Sequence, residues 1–158
     1  MVMLSIFVFL IGISIGSFLN VCIYRMGKEE SVARPASHCP QCKKPIRAKD
    51  NIPLLSYLFL RGRCRDCGAK ISFRYFFVEF LTGVIFLLMY RRFGLTPLFF
   101  IYSAFACGLI VATFVDFDFR IIPDEISLGG IVVGLVVSFI YPGLHHVPIH
   151  LLGLRESL

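Results

Sequence analysis

The sequence has little charge and no tryptophan. Only 16% of its 158 residues are charged, whereas 57% are hydrophobic, and its mean hydropathy is +0.80. A soluble domain carries about a quarter charged residues, so this shortage excludes an ordinary soluble globule. The apolar content in turn excludes a disordered chain. At about 20 residues for each membrane-spanning helix, the length allows a few spans and one small extramembrane module.

Two familiar sequence signals are also missing. No basic segment precedes the first apolar run and no small-x-small cleavage pattern follows it, which excludes a cleavable signal peptide. No glycine-rich nucleotide fingerprint follows a strand pattern, so the sequence does not locate a nucleotide-like cofactor.

The charges that are present concentrate in one segment. Residues 25–74 carry twelve Lys or Arg against four acids, while the rest of the chain carries four against six. Such a segment is typical of a cytoplasmic loop that obeys the positive-inside rule, and we prefer this interpretation to nucleic-acid binding. Contact with anionic membrane lipid would accompany it.

Four apolar runs predict an all-α polytopic membrane protein with about four transmembrane helices. The runs cover residues 2–24, 75–90, 95–115 and 123–141. Small residues at helical spacing in the first run predict close packing against another helix; they are Gly12, Ser14, Gly16 and Ser17. With the basic loop in the cytoplasm, the N-terminus lies outside. The predicted domains are residues 1–24 (first span), 25–74 (basic cytoplasmic module), 75–141 (three spans) and 142–158 (a loop or the start of a further helix).

Four of the six cysteines form two Cys-x-x-Cys pairs in the basic loop. The pairs are Cys39 with Cys42 and Cys64 with Cys67, with 21 residues between them. This spacing is typical of four-thiolate zinc sites. A disulfide is disfavoured in a reducing compartment, and a redox dithiol needs only one pair. We therefore predict a structural Zn²⁺ in a zinc-ribbon-like loop of about fifty residues, which is too small to be stable through a hydrophobic core alone. His38 is expected to be a surface residue.

Acidic residues cluster where the third run meets the fourth. Asp116 follows directly on the third run, and ionisable groups at membrane depth mark a functional site by default. Two carboxylates that share a proton supply the acid and base of aspartic proteolysis. Asp118 cannot face Asp116 from two residues away on a helix, and is expected to pair with Arg120 or to face solvent. Glu79, about a turn inside the second run, is the only other acid expected at membrane depth, so the carboxylate pair stays incomplete.

Six segments taken in order resemble the bacterial type IV prepilin peptidases, which are membrane aspartic peptidases. The segments are residues 16–25, 39–42, 50–57, 62–67, 71–75 with 78–79, and 116–124. The resemblance implies an enzyme of the bacterial inner membrane that cuts the leader of type IV prepilins and type II secretion pseudopilins after a Gly, on the cytoplasmic face. It also implies N-methylation of the new N-terminus with S-adenosylmethionine, and identifies Asp116 as the first of two catalytic aspartates.

The chain departs from this family pattern at two places. The second aspartate belongs to a later Gly-x-Gly-Asp motif. The only paired glycines downstream of Asp116 are Gly129-Gly130, and no Asp follows them. We therefore expect a truncated chain or a short, proteolytically inactive form. The alternative is a non-enzymatic zinc-ribbon membrane adaptor. Phe76 also stands where the family commonly has Pro.

The remaining acids have simpler expected roles. Asp124 falls where the family motif tolerates other residues. Together with Glu125 it follows Pro123 in a first helical turn, where proline fits and acids complement the helix dipole. Acids of the basic loop are expected to contact the basic leader; they are Glu29, Glu30 and Asp50.

Overall fold

The computed structural model describes residues 2–28, 31, 37–120 and 124–140. Within them the chain forms one 3-10 turn (Ala48–Asp50) and the helices α1 (Val2–Met26), α2 (Leu55–Phe59), α3 (Phe73–Phe93), α4 (Pro97–Phe119) and α5 (Asp124–Ile140). The described residues contain two isolated bridges but no β-strand, so the predicted all-α fold is confirmed. Several predictions lie outside the description: those on Glu29, Glu30, Pro123, the side chain of Glu125 and residues 142–158.

Three helices are long and apolar enough to cross a membrane, so the chain is a multi-pass membrane protein. The helices α1, α3 and α4 have 25, 21 and 23 residues, or about 31–38 Å at 1.5 Å per residue, against a hydrocarbon core of about 30 Å. The 17 residues of α5 are equally apolar but span only about 25 Å.

The helices extend beyond the predicted apolar runs. Arg91 and Arg92, which lie between the second and third predicted runs, belong to the last turn of α3, and the chain turns at Gly94 with a φ of 62°. Long Arg side chains can reach water from inside a helix end, and positive charge there complements the helix dipole. The prediction that ended the second run before these charged residues therefore placed the end of α3 too early.

The main helix pair is α1 with α3, and glycine allows their close approach. A Cβ added at Gly12 would lie 2.8 Å from the Cα of Gly83, and one at Gly16 would lie 2.8 Å from the Cα of Glu79. Real Cβ atoms essentially never come so close to backbone. The close packing predicted from the small residues of the first run is therefore confirmed.

Helix α4 packs across this pair. Ile23, Val78 and Val115 are fully buried where the three helices meet. The ring of Phe119 lies against Gly27, directly after α1, so the end of α4 meets the end of α1. The basic loop and the aspartates of α4 thus lie at the same end of the bundle. We call this the loop end.

Candidate functional site

The cysteine loop contains two matching turns. In the first, the Lys43 N–H donates to the Cys39 carbonyl at 2.9 Å, and in the second, the Gly68 N–H donates to the Cys64 carbonyl at 2.9 Å. The residue that follows each Cys-x-x-Cys pair has a left-handed backbone, with φ of 58° at Lys43 and 71° at Gly68. Each turn therefore brings its two thiols to one side in the same way.

The four predicted ligands come together. The Sγ atoms of Cys39, Cys42, Cys64 and Cys67 all lie within 4.8 Å of one another, and those of Cys39 and Cys67 are 3.8 Å apart. Four thiolates about 2.3 Å from a tetrahedral zinc ion would be about 3.8 Å apart, so the cluster has the dimensions of such a site. The backbone N–H of Cys42 lowers the pKa of Cys39 to about 7, which favours the thiolate that binds metal. His38 is not among the clustered ligands of the described chain.

An ion pair fixes the second cysteine turn against the 3-10 turn. Arg65 donates to both carboxylate oxygens of Asp50, at 2.6 to 3.1 Å, and the Asp50 side chain is 9% exposed. These hydrogen bonds from Arg65 hold the pKa of Asp50 below its usual range. Both oxygens thus accept hydrogen bonds within the loop, and the expected contact of Asp50 with a basic leader stays a prediction.

Glu79 ties the loop to the spans. This side chain on α3 is buried, and its Oε2 accepts a 2.7 Å hydrogen bond from the Leu54 N–H. Ser17 of α1 also hydrogen-bonds the carboxylate. Glu79 was the sequence's only other candidate for a carboxylate pair, but its hydrogen bonds serve to hold a backbone turn.

The last turn of α4 directs its two aspartates to different surroundings. Asp118 forms an ion pair with Arg74 of α3, so the predicted pairing with Arg120 is wrong. Arg120 ends the helix in a left-handed conformation, with φ of 57° and ψ of 37°. The Asp116 side chain is exposed, and within the described residues no hydrogen bond or ion pair engages it.

A cleft of about 810 Å³ lies between the loop and the ends of the spans. Its lining contains many polar and charged residues, among them Ser17, Asn20, Asp50, Arg74, Glu79 and Asp118, but not Asp116. Asn20 is 2% exposed; its Nδ2 donates to the Tyr75 carbonyl at 2.9 Å, and its Oδ1 has no hydrogen-bond partner among the described residues. Sequence analysis gave Asn20 no separate role, although one amide in an uncharged apolar run is itself a sign of a role at membrane depth. The cleft has the volume of a small-molecule site.

Comparison with known proteins gives consistent matches. The model of the bacterial peptidase A24 N-terminal domain matches residues 10–93. The prepilin leader peptidase/N-methyltransferase of Myxococcus xanthus is 42% identical over 135 residues, which cover 85% of this chain and 40% of that protein. The type 4 prepilin-like proteins leader peptide-processing enzyme of Escherichia coli is 42% identical over 149 residues, covering 81% of this chain and 54% of that protein. The chain spans about half the length of the curated relatives it matches. No solved structure matches it.

Proposed function

Because the chain belongs to the bacterial A24 peptidase family through its N-terminal domain, we propose that it is the N-terminal part of a prepilin leader peptidase and N-methyltransferase. That protein cleaves the leaders of type IV prepilins and type II secretion pseudopilins after a Gly, and methylates the new N-terminus. The observation that carries the proposal is Asp116: an exposed, unengaged carboxylate at the loop end of a span in a chain of this family.

Asp116 supplies one carboxylate of an aspartic pair. In such a pair one ionised carboxylate takes a proton from the attacking water, while a protonated partner donates to the scissile carbonyl. Two other acids at the loop end are engaged, Asp118 by Arg74 and Glu79 by the Leu54 N–H. We propose that the partner carboxylate is the aspartate of the family's Gly-x-Gly-Asp motif, which this sequence does not contain.

Prepilin cleavage by membranes that contain the whole protein tests this assignment. Asp116→Asn keeps the side-chain size but cannot accept a proton, so we expect cleavage to fall by about 10² to 10⁴-fold. Asp118→Asn is the matched control, two residues away, and should retain most of the activity. Full activity in Asp116→Asn, or an equal loss in both variants, would contradict the assignment.

We propose further that the four thiolates hold Zn²⁺. Four protein ligands leave no open coordination position, so the ion stabilises the loop and takes no part in bond cleavage. Cys64→Ser should lose the bound zinc, measured by mass spectrometry of the purified protein. Cys22→Ser should keep it, because Cys22 is buried in α1 away from the cluster. Stoichiometric zinc in Cys64→Ser would refute the site.

The methyl donor implied by this function is S-adenosylmethionine, and we place it in the cleft. The cleft volume of about 810 Å³ lies within the range of cofactor sites. Equilibrium dialysis of labelled S-adenosylmethionine against the solubilised protein tests this, with S-adenosylhomocysteine expected to compete and adenosine triphosphate not. No retention at micromolar protein would count against it.

We also place the protein in the bacterial inner membrane with residues 25–74 in the cytoplasm. The large excess of Lys and Arg in this segment supports that orientation. An epitope at the N-terminus should be digested by protease added to spheroplasts, whereas one in the cysteine loop should be protected. The reverse pattern would overturn the orientation.

A further inference from the structure

A short apolar segment of the basic loop lies against the first turns of α3. It comprises the turn at residues 52–54, helix α2 and Leu60, and we call it the leaflet segment. We propose that it lies in the bilayer leaflet at the loop end, with lipid acyl chains covering its apolar side chains and anionic headgroups beside it.

The hydrogen bond between Leu54 and Glu79 sets the depth of this segment. Glu79 lies six residues beyond Phe73, the start of α3, or about 9 Å along the helix axis. The Glu79 side chain points back toward the start of α3. The Leu54 N–H therefore lies at a height between those of Phe73 and Glu79 along the helix axis. Arg74 and Asp118, an ion pair at the helix ends, mark where the spans leave the hydrocarbon. The turn thus reaches the depth of about 5–10 Å at which interfacial helices lie.

Four large apolar side chains of the leaflet segment are exposed. Phe59 is 82% exposed, Leu58 60%, Leu55 51% and Ile52 48%. Soluble proteins rarely expose a large contiguous apolar patch, and where one occurs it marks an interaction site. In a bilayer the same side chains lose contact with water and need no protein partner.

A row of contacting aromatic rings joins the leaflet segment to the exposed face of α3. The Tyr57 ring contacts Phe73 and Phe76 at centroid distances of 6.3 and 5.6 Å. Phe76 in turn stacks on Phe80 at 6.4 Å. Because Phe73 and Phe80 are themselves exposed, the apolar surface of the span continues onto the loop without a polar break. The membrane that covers α3 therefore extends over the segment.

Exposed cations border the leaflet segment on both sides. Lys49 lies three residues before it, and Arg61 and Arg63 follow it. Long basic side chains beside an apolar interfacial segment extend to the headgroups and are attracted by anionic lipid. This combination of apolar side chains and bordering cations is that of an interfacial helix, and it identifies the occupant as anionic bilayer.

Because the sequence has no tryptophan, the fluorescence of a single introduced Trp reports the depth of the leaflet segment in the bilayer. Phe59→Trp is reconstituted in vesicles that contain phosphatidylglycerol, and its quenching by brominated lipids and by aqueous iodide is measured. Phe105→Trp, on the exposed face of α4, is the lipid control, and Gln41→Trp, exposed in the first cysteine turn, is the aqueous control. Leu58→Trp repeats the test in case Phe59→Trp does not fold.

We expect Phe59→Trp to be quenched more by lipid brominated near the headgroup than by lipid brominated deep in the chain. Its iodide quenching constant should be several-fold lower than that of Gln41→Trp. Iodide quenching equal to that of Gln41→Trp would overturn the proposal, because the segment would then lie in water. Protection from both quenchers would also overturn it, because protein would then cover the patch.

Discussion

The crossing of α1 and α3 leaves no room for one methyl group at Gly16. In Gly16→Ala the new Cβ would lie 2.8 Å from the Cα of Glu79 and 3.0 Å from the Cβ of Thr82. Carbon atoms in ordinary contact are about 3.5–4.0 Å apart, so the two helices must separate by about 1 Å. The Cα of Glu79 belongs to the backbone, so a rotamer change cannot relieve this contact.

The free-energy cost of separating the two helices should exceed the gain in helix propensity from replacing Gly by Ala. Overpacking of a well-packed interior costs about 1–3 kcal/mol, while replacing Gly by Ala inside a helix returns about 1 kcal/mol. The displaced Glu79 also holds the loop through Leu54. We therefore expect Gly16→Ala to lower the free energy of unfolding by up to about 2 kcal/mol.

Gly108 of α4 provides the matched control, because a Cβ there would meet nothing within 4 Å. Gly108→Ala should leave stability unchanged or raise it by up to about 1 kcal/mol. Unfolding of the purified protein in mixed micelles of mild detergent and dodecyl sulfate, followed by circular dichroism, measures both variants. Equal shifts in Gly16→Ala and Gly108→Ala would refute the close contact between α1 and α3.

Three further predictions concern polar contacts at the loop end. In Arg65→Gln, the pKa of Asp50 read from its carboxyl NMR signal should rise toward the usual value of about 3.9. Arg65 lowers this pKa in the folded protein, so the pair stabilises above the unfolded-state pKa, and that stability is lost as the pH falls through the folded-state pKa; an unmoved signal would contradict this. Exchanging the charges of Arg74 and Asp118 should restore part of the stability that each single reversal removes, and a coupling energy below about 0.5 kcal/mol would argue against their pairing. Asn20→Asp should lower the free energy of unfolding by about 1–3 kcal/mol, because a carboxylate cannot donate to the carbonyl that Nδ2 now contacts; unchanged stability at neutral pH would disprove that role.

The features that the sequence predicted correctly depend on local patterns. An uncharged apolar run predicts a span, because the bilayer core requires about 20 apolar residues in a helix. Two Cys-x-x-Cys pairs predict a four-thiol cluster, because each turn positions its own two thiols, as the hydrogen bonds to Cys39 and Cys64 show. The spacing of Gly12 and Gly16 also predicted that the first span packs closely against another helix, which the structure identifies as α3.

The features that the sequence did not predict depend on contacts between distant elements. Arg120 is two residues from Asp118 and appeared to be its natural partner. However, the chain reverses between α3 and α4 and brings Arg74 to the same end of the bundle. The hydrogen-bond partner of Glu79 could not be predicted from the sequence either, because it is the backbone N–H of Leu54 rather than a side chain. A buried N–H needs an acceptor, and only the packed structure shows which side chain provides it.

The structural role of Glu79 can be separated from a catalytic one by two substitutions. Glu79→Gln keeps an oxygen that accepts from the Leu54 N–H, whereas Glu79→Leu leaves that buried donor unpaired, at a cost of about 1–3 kcal/mol. If Glu79 only holds the turn, then Glu79→Gln retains prepilin cleavage in the whole protein and Glu79→Leu loses stability. If Glu79 were instead the second carboxylate, both variants would lose cleavage as Asp116→Asn does, since neither side chain titrates. An inactive but stably folded Glu79→Gln would therefore move Glu79 from the structural contacts of the loop end into the proteolytic pair with Asp116.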